Sequence, residues 1–335
     1  MKLCVLGAGS WGIALSAHLH RAGHSIRLWE HDPAKADSLR QTRENKVILP
    51  GILLPADILI TSRMQEALEG REGVVMVVPS HVVRPTIQKA ATTWPKGAWV
   101  ACATKGLEEN THLRMSELLK EYIKDDSLIA VLSGPSHAEE VSRKMPTTVV
   151  AASINPALST TVQGVFHSDY FRVYTSTDVA GVELGGSLKN VIAIAAGISD
   201  GLGLGDNSKA ALMTRGLHEI TRLGVALGAQ PQTFAGLAGM GDLIVTCCSR
   251  HSRNRLLGEK IGKGATLEQA LSEMVMVAEG VKSSHAAVEL AKKAKVEVPI
   301  TEEVYQVLFK NKSAKEAVKS LMARAACAEQ DPNVW

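Results

Sequence analysis

Aromatic residues, cysteines and net charge are all in short supply in this chain, and each shortage removes a class of protein. Phe, Trp and Tyr make up 4% of 335 residues, so the core has to be built from Ala, Val, Leu and Ile. The five cysteines, Cys4, Cys102, Cys247, Cys248 and Cys327, are an odd set without a C-x-x-C pair. That spacing fits neither a disulfide framework nor a zinc site, and it points to a reducing compartment. Lys and Arg number 37 against 34 Asp and Glu, a net charge of +3, short of the clear basic excess of a nucleic-acid binder. No apolar run approaches the ~20 residues of a bilayer span. The stretch from Leu3 to Leu15 is interrupted by three glycines, Ser10 and Trp11, and no good cleavage site follows. It reads as structure and not as a signal peptide. The expectation is a cytoplasmic protein with no membrane span, no nucleic-acid partner and no metal.

What is present is ordinary globular composition, 45% apolar and 21% charged, with 28 glycines. At roughly 150 residues per domain the length suggests two domains. Lys2–Leu6 is a candidate buried strand, Ile13–Arg21 a helix closed near Gly23, and Ser25–Trp29 a second strand. Further strands are expected at Val74–Val78, Trp99–Ala103, Leu128–Leu132, Thr147–Ala151 and Phe171–Tyr174. Strand runs that are apolar on both faces and separated by helices predict a mostly parallel sheet covered on both sides. After about Asp178 strand signals nearly vanish. Helices are expected at Val182–Ile198, Ser208–Leu227, Arg253–Ile261, Glu279–Lys293 and Ile300–Phe309. The fold class is therefore an α/β Rossmann-type domain over 1–180 followed by an all-α domain over 181–335, with the site expected in a cleft where they meet.

Gly7-Ala8-Gly9-Ser10-Trp11-Gly12 is a G-x-G-x-x-G turn that follows a predicted strand and opens a predicted helix, the context a dinucleotide-binding turn requires. Gly7 permits the turn, Gly9 lets backbone approach a pyrophosphate, and Gly12 lets the helix pack on the strand. The second strand ends at Trp29-Glu30, with Glu30 21 residues after Gly9. An acid there holds the ribose 2′-OH of NAD, yet Arg27, His31 and Lys35 offer cations for a 2′-phosphate. The residues leave NAD and NADP both open, and His31 reads equally as a solvated turn residue.

Several polar residues sit where the apolar pattern expects none. Gly181–Gly197 is an apolar helix with Lys189 and Asn190 set inside it. A desolvated lysine suits proton transfer; the alternative is a lysine that snorkels to solvent. Asp242, between Gly241 and an apolar run, suits an acid aimed into a cleft or a helix N-cap. In the segment SRHSRNR (249–255) Ser252 is a predicted cap, which puts Arg253, Asn254 and Arg255 in a first turn. Cations there oppose the helix dipole unless an anion binds; a solvated basic patch is the alternative. Lys105 in ATKGL (103–107) and Ser136 in LSGPSHA (132–138) lie at the carboxyl ends of strands, where ligands of such sheets bind. His137 is assigned a local hydrogen-bonding role.

Taken together, GAGSWG, NKVILPGI (45–52), VVPSHVVR (77–84), ATKGLE, LSGPSHAEEV, the run from STDVAGVELGGSLKNVIAIAAG to GLGLGDNSKAAL, LAGMGDL, SRHSRNR and VAEGV (277–281) closely resemble the bacterial NAD(P)-dependent glycerol-3-phosphate dehydrogenases. The match runs through most of the chain. It implies reduction of dihydroxyacetone phosphate to sn-glycerol 3-phosphate for phospholipid synthesis, with NADP or NAD as cofactor, a phosphorylated triose as substrate and a homodimer as assembly. Lys189 corresponds to the family's proton-transfer lysine. Besides Gly7, Gly9 and Gly12, the implied cofactor contacts are Ser10, Trp11, His31, Lys105, Ala138, Arg253, Val277 and Glu279. Position 31 carries His where the family often has Arg. The implied substrate contacts are Lys105, Gly134, Ser136, Lys189, Asp242, Ser252, Arg253 and Asn254. Two rival functions share the layout: a dehydrogenase of hydroxy acids or sugar acids, and a dinucleotide sensor without catalysis.

Overall fold

The computed structural model describes residues 1–274, 278–326 and 328–329. Two units emerge: Met1–Glu108 with Leu113–Val179, and Glu109–His112 with the chain from Ala180 on. The first is α/β. Its elements are β1 (Lys2–Leu6), α1 (Ser10–Arg21), β2 (Ser25–Trp29), α2 (Pro33–Thr42), β3 (Leu59–Thr61), α3 (Met64–Leu68), β4 (Gly73–Met76), α4 (Val83–Ala91) and β5 (Trp99–Cys102). They continue as α5 (Met115–Ile123), β6 (Ile129–Ser133), α6 (Ala138–Ser142), β7 (Thr147–Ala152), α7 (Pro156–Phe166) and β8 (Phe171–Ser176).

The eight strands form one sheet in the order β3-β2-β1-β4-β5-β6-β7-β8. Every pair is parallel except β6 with β7. The strand order therefore reverses between β1 and β4, and ligands of such sheets bind outside the carboxyl ends of the strands at that point. Strands β4, β5 and β6 are buried at every position, as apolar strands covered on both faces must be. Local chemistry sets the helix starts. Asp32 caps α2 by accepting from the backbone N–H groups of Ala34 and Lys35, and Pro33 opens the helix. Asn155 and Pro156 do the same for α7. Proline suits the first helical position because its missing N–H has no partner there.

The second unit is helical: α8 (Val179–Leu202), α9 (Gly205–Ala226), α10 (Pro231–Phe234), a π-turn at Leu237–Gly241, α11 (Asp242–Cys248) and α12 (Arg253–Gly262). It continues with α13 (Leu267–Ser272), α14 (Glu279–Ala294), α15 (Pro299–Phe309) and α16 (Ala314–Met322). Residues Gly181–Ser199 of α8 are buried without a break, so this helix is the core of its unit and not an amphipathic face. Glycines let α12 cross it backbone to backbone. A Cβ built on Gly197 would stand 1.9 Å from the Arg255 carbonyl oxygen, and one on Gly258 would stand 2.0 Å from that of Ile194.

Contrary to the expectation of no span-length apolar run, α8 alone among the described residues is long and apolar enough to cross a membrane by length and composition. Its most apolar window is 89% buried inside the protein, and it carries Glu183, Lys189 and Asn190.

Candidate active site

The α/β unit contributes the glycine turn. Gly7 has φ +116°, and a Cβ there would press on Val78. The α1 helix starts at Ser10, three residues earlier than the expected Ile13, so Ser10, Trp11 and Gly12 form its first turn. A Cβ on Gly12 would lie 1.8 Å from the Gly7 carbonyl oxygen, whereas one on Gly9 would meet nothing within 4 Å. Helix and strand are thus pressed together at Gly12, and the space in front of Gly9 is open. No side chain caps α1, and its first turn holds no acid. Its exposed N–H groups and positive dipole end fit a pyrophosphate, so the turn fits a dinucleotide.

Two loops at the carboxyl ends of β5 and β6 meet through a lysine. The Nζ of Lys105 donates to the Gly134 carbonyl at 2.9 Å, and Ser136 Oγ donates to the same oxygen at 2.8 Å. Gly134 has φ +136°, and a Cβ there would stand 3.0 Å from Val149 Cα, so this loop is held against β7. Ala138 opens α6 just beyond, with His137 in the cap position. His31 follows β2, exposed, with Nδ1 2.7 Å from a Glu30 carboxylate oxygen.

In the helical unit Lys189 is 5% exposed. Its Nζ donates to Asp242 Oδ1 at 2.5 Å and to Thr246 Oγ1 at 2.6 Å. The Thr246 hydroxyl in turn donates to the Asp242 carbonyl at 2.6 Å. Burying a lone ammonium is costly, and a carboxylate with a second acceptor offsets that cost. Lys189 therefore does not snorkel. Asp242 is not an N-cap either: Gly241 holds that position, and the Asp242 carboxylate goes to the lysine. Thr246 was not singled out from sequence. The signal was there, since positions 242 and 246 share one helical face.

The next residue of α8 organises a second cluster. Asn254 Nδ2 donates to Asn190 Oδ1 at 2.8 Å, and Asn254 Oδ1 accepts the Gly280 N–H at 2.9 Å. One amide thereby joins α8, α12 and the start of α14, where Glu279 is the first residue. Ser252 caps α12 by accepting the Arg255 N–H at 3.2 Å, as its position in the sequence predicts. Arg253 opens that helix, whose first turn lacks an acid, and is exposed. The Arg255 guanidinium is engaged by Asp200 at 2.7 Å and by Glu259 at 3.1 Å, so the second arginine of the segment is committed to carboxylates. Val277 lies outside the described residues.

This unit also holds a cavity of about 1030 Å³ lined by residues such as Ile198, Leu212, Val304 and Leu321. None of the residues singled out above lines it. Among the described residues no group of three or more His, Cys, Asp or Glu is placed to hold a metal.

Known proteins match this chain along nearly its whole length. Residues 2–159 match the N-terminal model of NAD-dependent glycerol-3-phosphate dehydrogenase, and residues 178–319 match the C-terminal one. A glycerol-3-phosphate dehydrogenase [NAD(P)+] of Thermoanaerobacter sp. (strain X514) is 54% identical over 324 residues, 97% of each chain. That of Citrifermentans bemidjiense is 52% identical over 330 residues, 98% of each. The crystal structure of glycerol-3-phosphate dehydrogenase from Coxiella burnetii superposes with a TM-score of 0.92 at 37% identity, over 96% of this chain and 99% of that one.

Proposed function

The chain belongs to the NAD-dependent glycerol-3-phosphate dehydrogenase family, and from that premise we propose that it reduces dihydroxyacetone phosphate to sn-glycerol 3-phosphate with NADH or NADPH. The observation that carries the chemistry is Lys189, buried in an apolar helix and held between Asp242 and Thr246. When bound, the reduced nicotinamide supplies a hydride to the ketone carbon. The chain's part is to manage the oxygen. Negative charge grows there as the C–O double bond opens, and a fixed ammonium stabilises it without having to reorganise. Lys189 then gives that oxygen one N–H proton and is left as the amine, which regains a proton from water before the next turnover. In the reverse direction the amine takes the hydroxyl proton.

Asp242 and Thr246 act as positioning residues that fix the Nζ direction. The α12 N-terminus, with Ser252, Arg253 and Asn254, receives the substrate phosphate, and Lys105 with the Gly134–Ser136 loop orients the remainder of the substrate. Ser10, Trp11, His31 and Ala138 are assigned to cofactor contact in the α/β unit, and Arg253 and Glu279 in the helical one, as is Val277, which lies outside the described residues. We further propose that the 181–335 domain is the substrate-binding domain, and that the protein works in the cytoplasm as a homodimer feeding glycerophospholipid synthesis.

The purified protein is expected to consume NADH or NADPH when given dihydroxyacetone phosphate. Lys189→Ala should lower kcat by roughly 10²–10⁴-fold, the usual share of a proton-transfer group, while cofactor affinity is kept. Thr246→Val removes one hydrogen bond to a charged group, about 1.5–3 kcal/mol, and should lower kcat by roughly ten- to a hundredfold with little change in KM. Near-normal turnover of Lys189→Ala would remove the lysine from the chemistry. Turnover of a phosphate-free hydroxy acid in place of the triose phosphate would overturn the substrate.

A further inference from the structure

The glycine turn, read as a dinucleotide site, leaves open which dinucleotide it takes, and this inference rests on that reading. Leu6 of β1 stands opposite Trp29 of β2, and the Gly7 N–H donates to the Trp29 carbonyl at 3.0 Å. Glu30 therefore stands level with the first glycine of the turn, at the carboxyl end of the sheet. Its own N–H donates to the Thr61 carbonyl at 3.0 Å, so its backbone is fixed from both sides. The carboxylate is fixed too. Oε1 accepts the Asp32 N–H at 3.1 Å and lies 2.7 Å from His31 Nδ1. Among the described residues no group engages Oε2.

The neighbouring arginines are turned to other tasks, and Lys35 is exposed in the first turn of α2, behind the Asp32 cap. Arg27 points its guanidinium at the carbonyls of Glu66 and Glu69. Arg63 forks onto Glu66. Lys89 stands 5.7 Å from the centroid of the Trp29 ring. His31 is tied to Glu30 itself. Asp32, whose carboxylate caps α2, adds a second negative charge one residue beyond His31 and three before Lys35. An adenosine ribose seated by this turn thus meets an ordered carboxylate with a free oxygen and no unengaged guanidinium. A 2′-hydroxyl has a hydrogen to donate to that oxygen. A 2′-phosphate carries close to two negative charges at neutral pH and none to spare for donation, so it is repelled.

We propose that Glu30 selects NADH over NADPH by accepting the 2′-hydroxyl of the adenosine ribose and repelling a 2′-phosphate, with His31 and the Asp32 N–H holding its carboxylate in place. The test is a binding titration of the full-length protein with each reduced cofactor, followed by quenching of tryptophan fluorescence, alongside kcat/KM for both. NADH is expected to bind at least roughly tenfold more tightly than NADPH, since a like-charge contact replaces a hydrogen bond. Glu30→Ser should weaken NADH and strengthen NADPH until the preference is lost or inverted. Glu30→Gln keeps the shape and the Asp32 contact, and should relieve the repulsion while retaining much of the NADH affinity. Equal affinities in the unaltered protein, tighter NADPH binding, or an unchanged ratio in both variants would overturn the selection. Failure to bind either nucleotide would instead overturn the dinucleotide reading of the turn, and the proposal with it.

Discussion

His18 is wholly buried beneath the sheet, its ring 4.5 Å from that of Phe171. Nε2 is 2.7 Å from the Phe166 carbonyl, which can only accept, so Nε2 carries the hydrogen. The Tyr170 hydroxyl then donates to Nδ1 at 2.9 Å. Burial pushes this imidazole down from 6.5 to about 4. Between those values the unfolded chain binds a proton that the folded chain refuses. Stability is therefore full above about pH 6.5 and falls as the pH drops toward 4, by about 3 kcal/mol. Glu219 works in the opposite sense. Burial raises its carboxyl from 4.5 to about 7, although it accepts the N–H groups of Ile300 and Thr301. The folded state keeps that proton longer, so its contribution is present below about pH 4.5 and is lost as the pH rises through 7. Denaturant titrations from pH 4 to 8 should show both limbs. His18→Gln should flatten the acidic one and Glu219→Gln the alkaline one. Neither group is legible in the sequence, because each is one polar residue in a helix whose surroundings are assembled from distant segments. Lys189 was legible for the reverse reason: a charge inside an unbroken apolar run has no local excuse. Its partner Asp242 was noticed separately, but 53 residues divide the two, and only the fold brings them to 2.5 Å.

At the scale of elements the glycines divide into two kinds that the G-x-G-x-x-G pattern cannot tell apart. A methyl on Gly9 enters open space, while one on Gly12 collides with the Gly7 carbonyl. Gly9→Ala should change stability by no more than the roughly ±0.5 kcal/mol of a neutral surface change yet weaken NADH binding, because the methyl occupies the approach of the pyrophosphate. Gly12→Ala should cost about 3 kcal/mol or more, since overpacking against backbone has no side chain to yield. Thermal melts of both variants with and without NADH separate these outcomes. Seven of the eight strands were readable as short apolar runs, with boundaries within two residues. The eighth, β3, is three residues long, too short for periodicity to register. The antiparallel seating of β7 on β6 was not readable either, because an apolar run carries no mark of strand direction. Helices α8, α9, α12, α14 and α15 were legible from their Ala- and Leu-rich stretches.

Across the whole chain, near-neutral charge conceals a local arrangement. Lys105, Lys189 and Arg253 each stand at a point where an anion is proposed to bind, while other lysines and arginines, such as Arg63, Lys120 and Lys263, pair with carboxylates at the surface. Cofactor binding should register in the stability of the entire protein by mass action. At a hundredfold excess over Kd, NADH should add about 2.7 kcal/mol to the folded state, seen as an upward shift of the melt that Gly9→Ala diminishes. A melt unmoved at saturating NADH and NADPH would count against the cofactor turn. Helix α8 is the most membrane-like segment among the described residues, and much of what shields it is not yet made when it leaves the ribosome. The glycine-lined face of α12, which covers it through Gly258 and Gly262, follows about sixty residues later. At roughly 5–20 residues per second the segment waits about 3–12 s without that cover. During that wait Glu183, Lys189 and Asn190 make the segment costly to place in a bilayer, and two of them, Lys189 and Asn190, join the polar clusters of the folded protein.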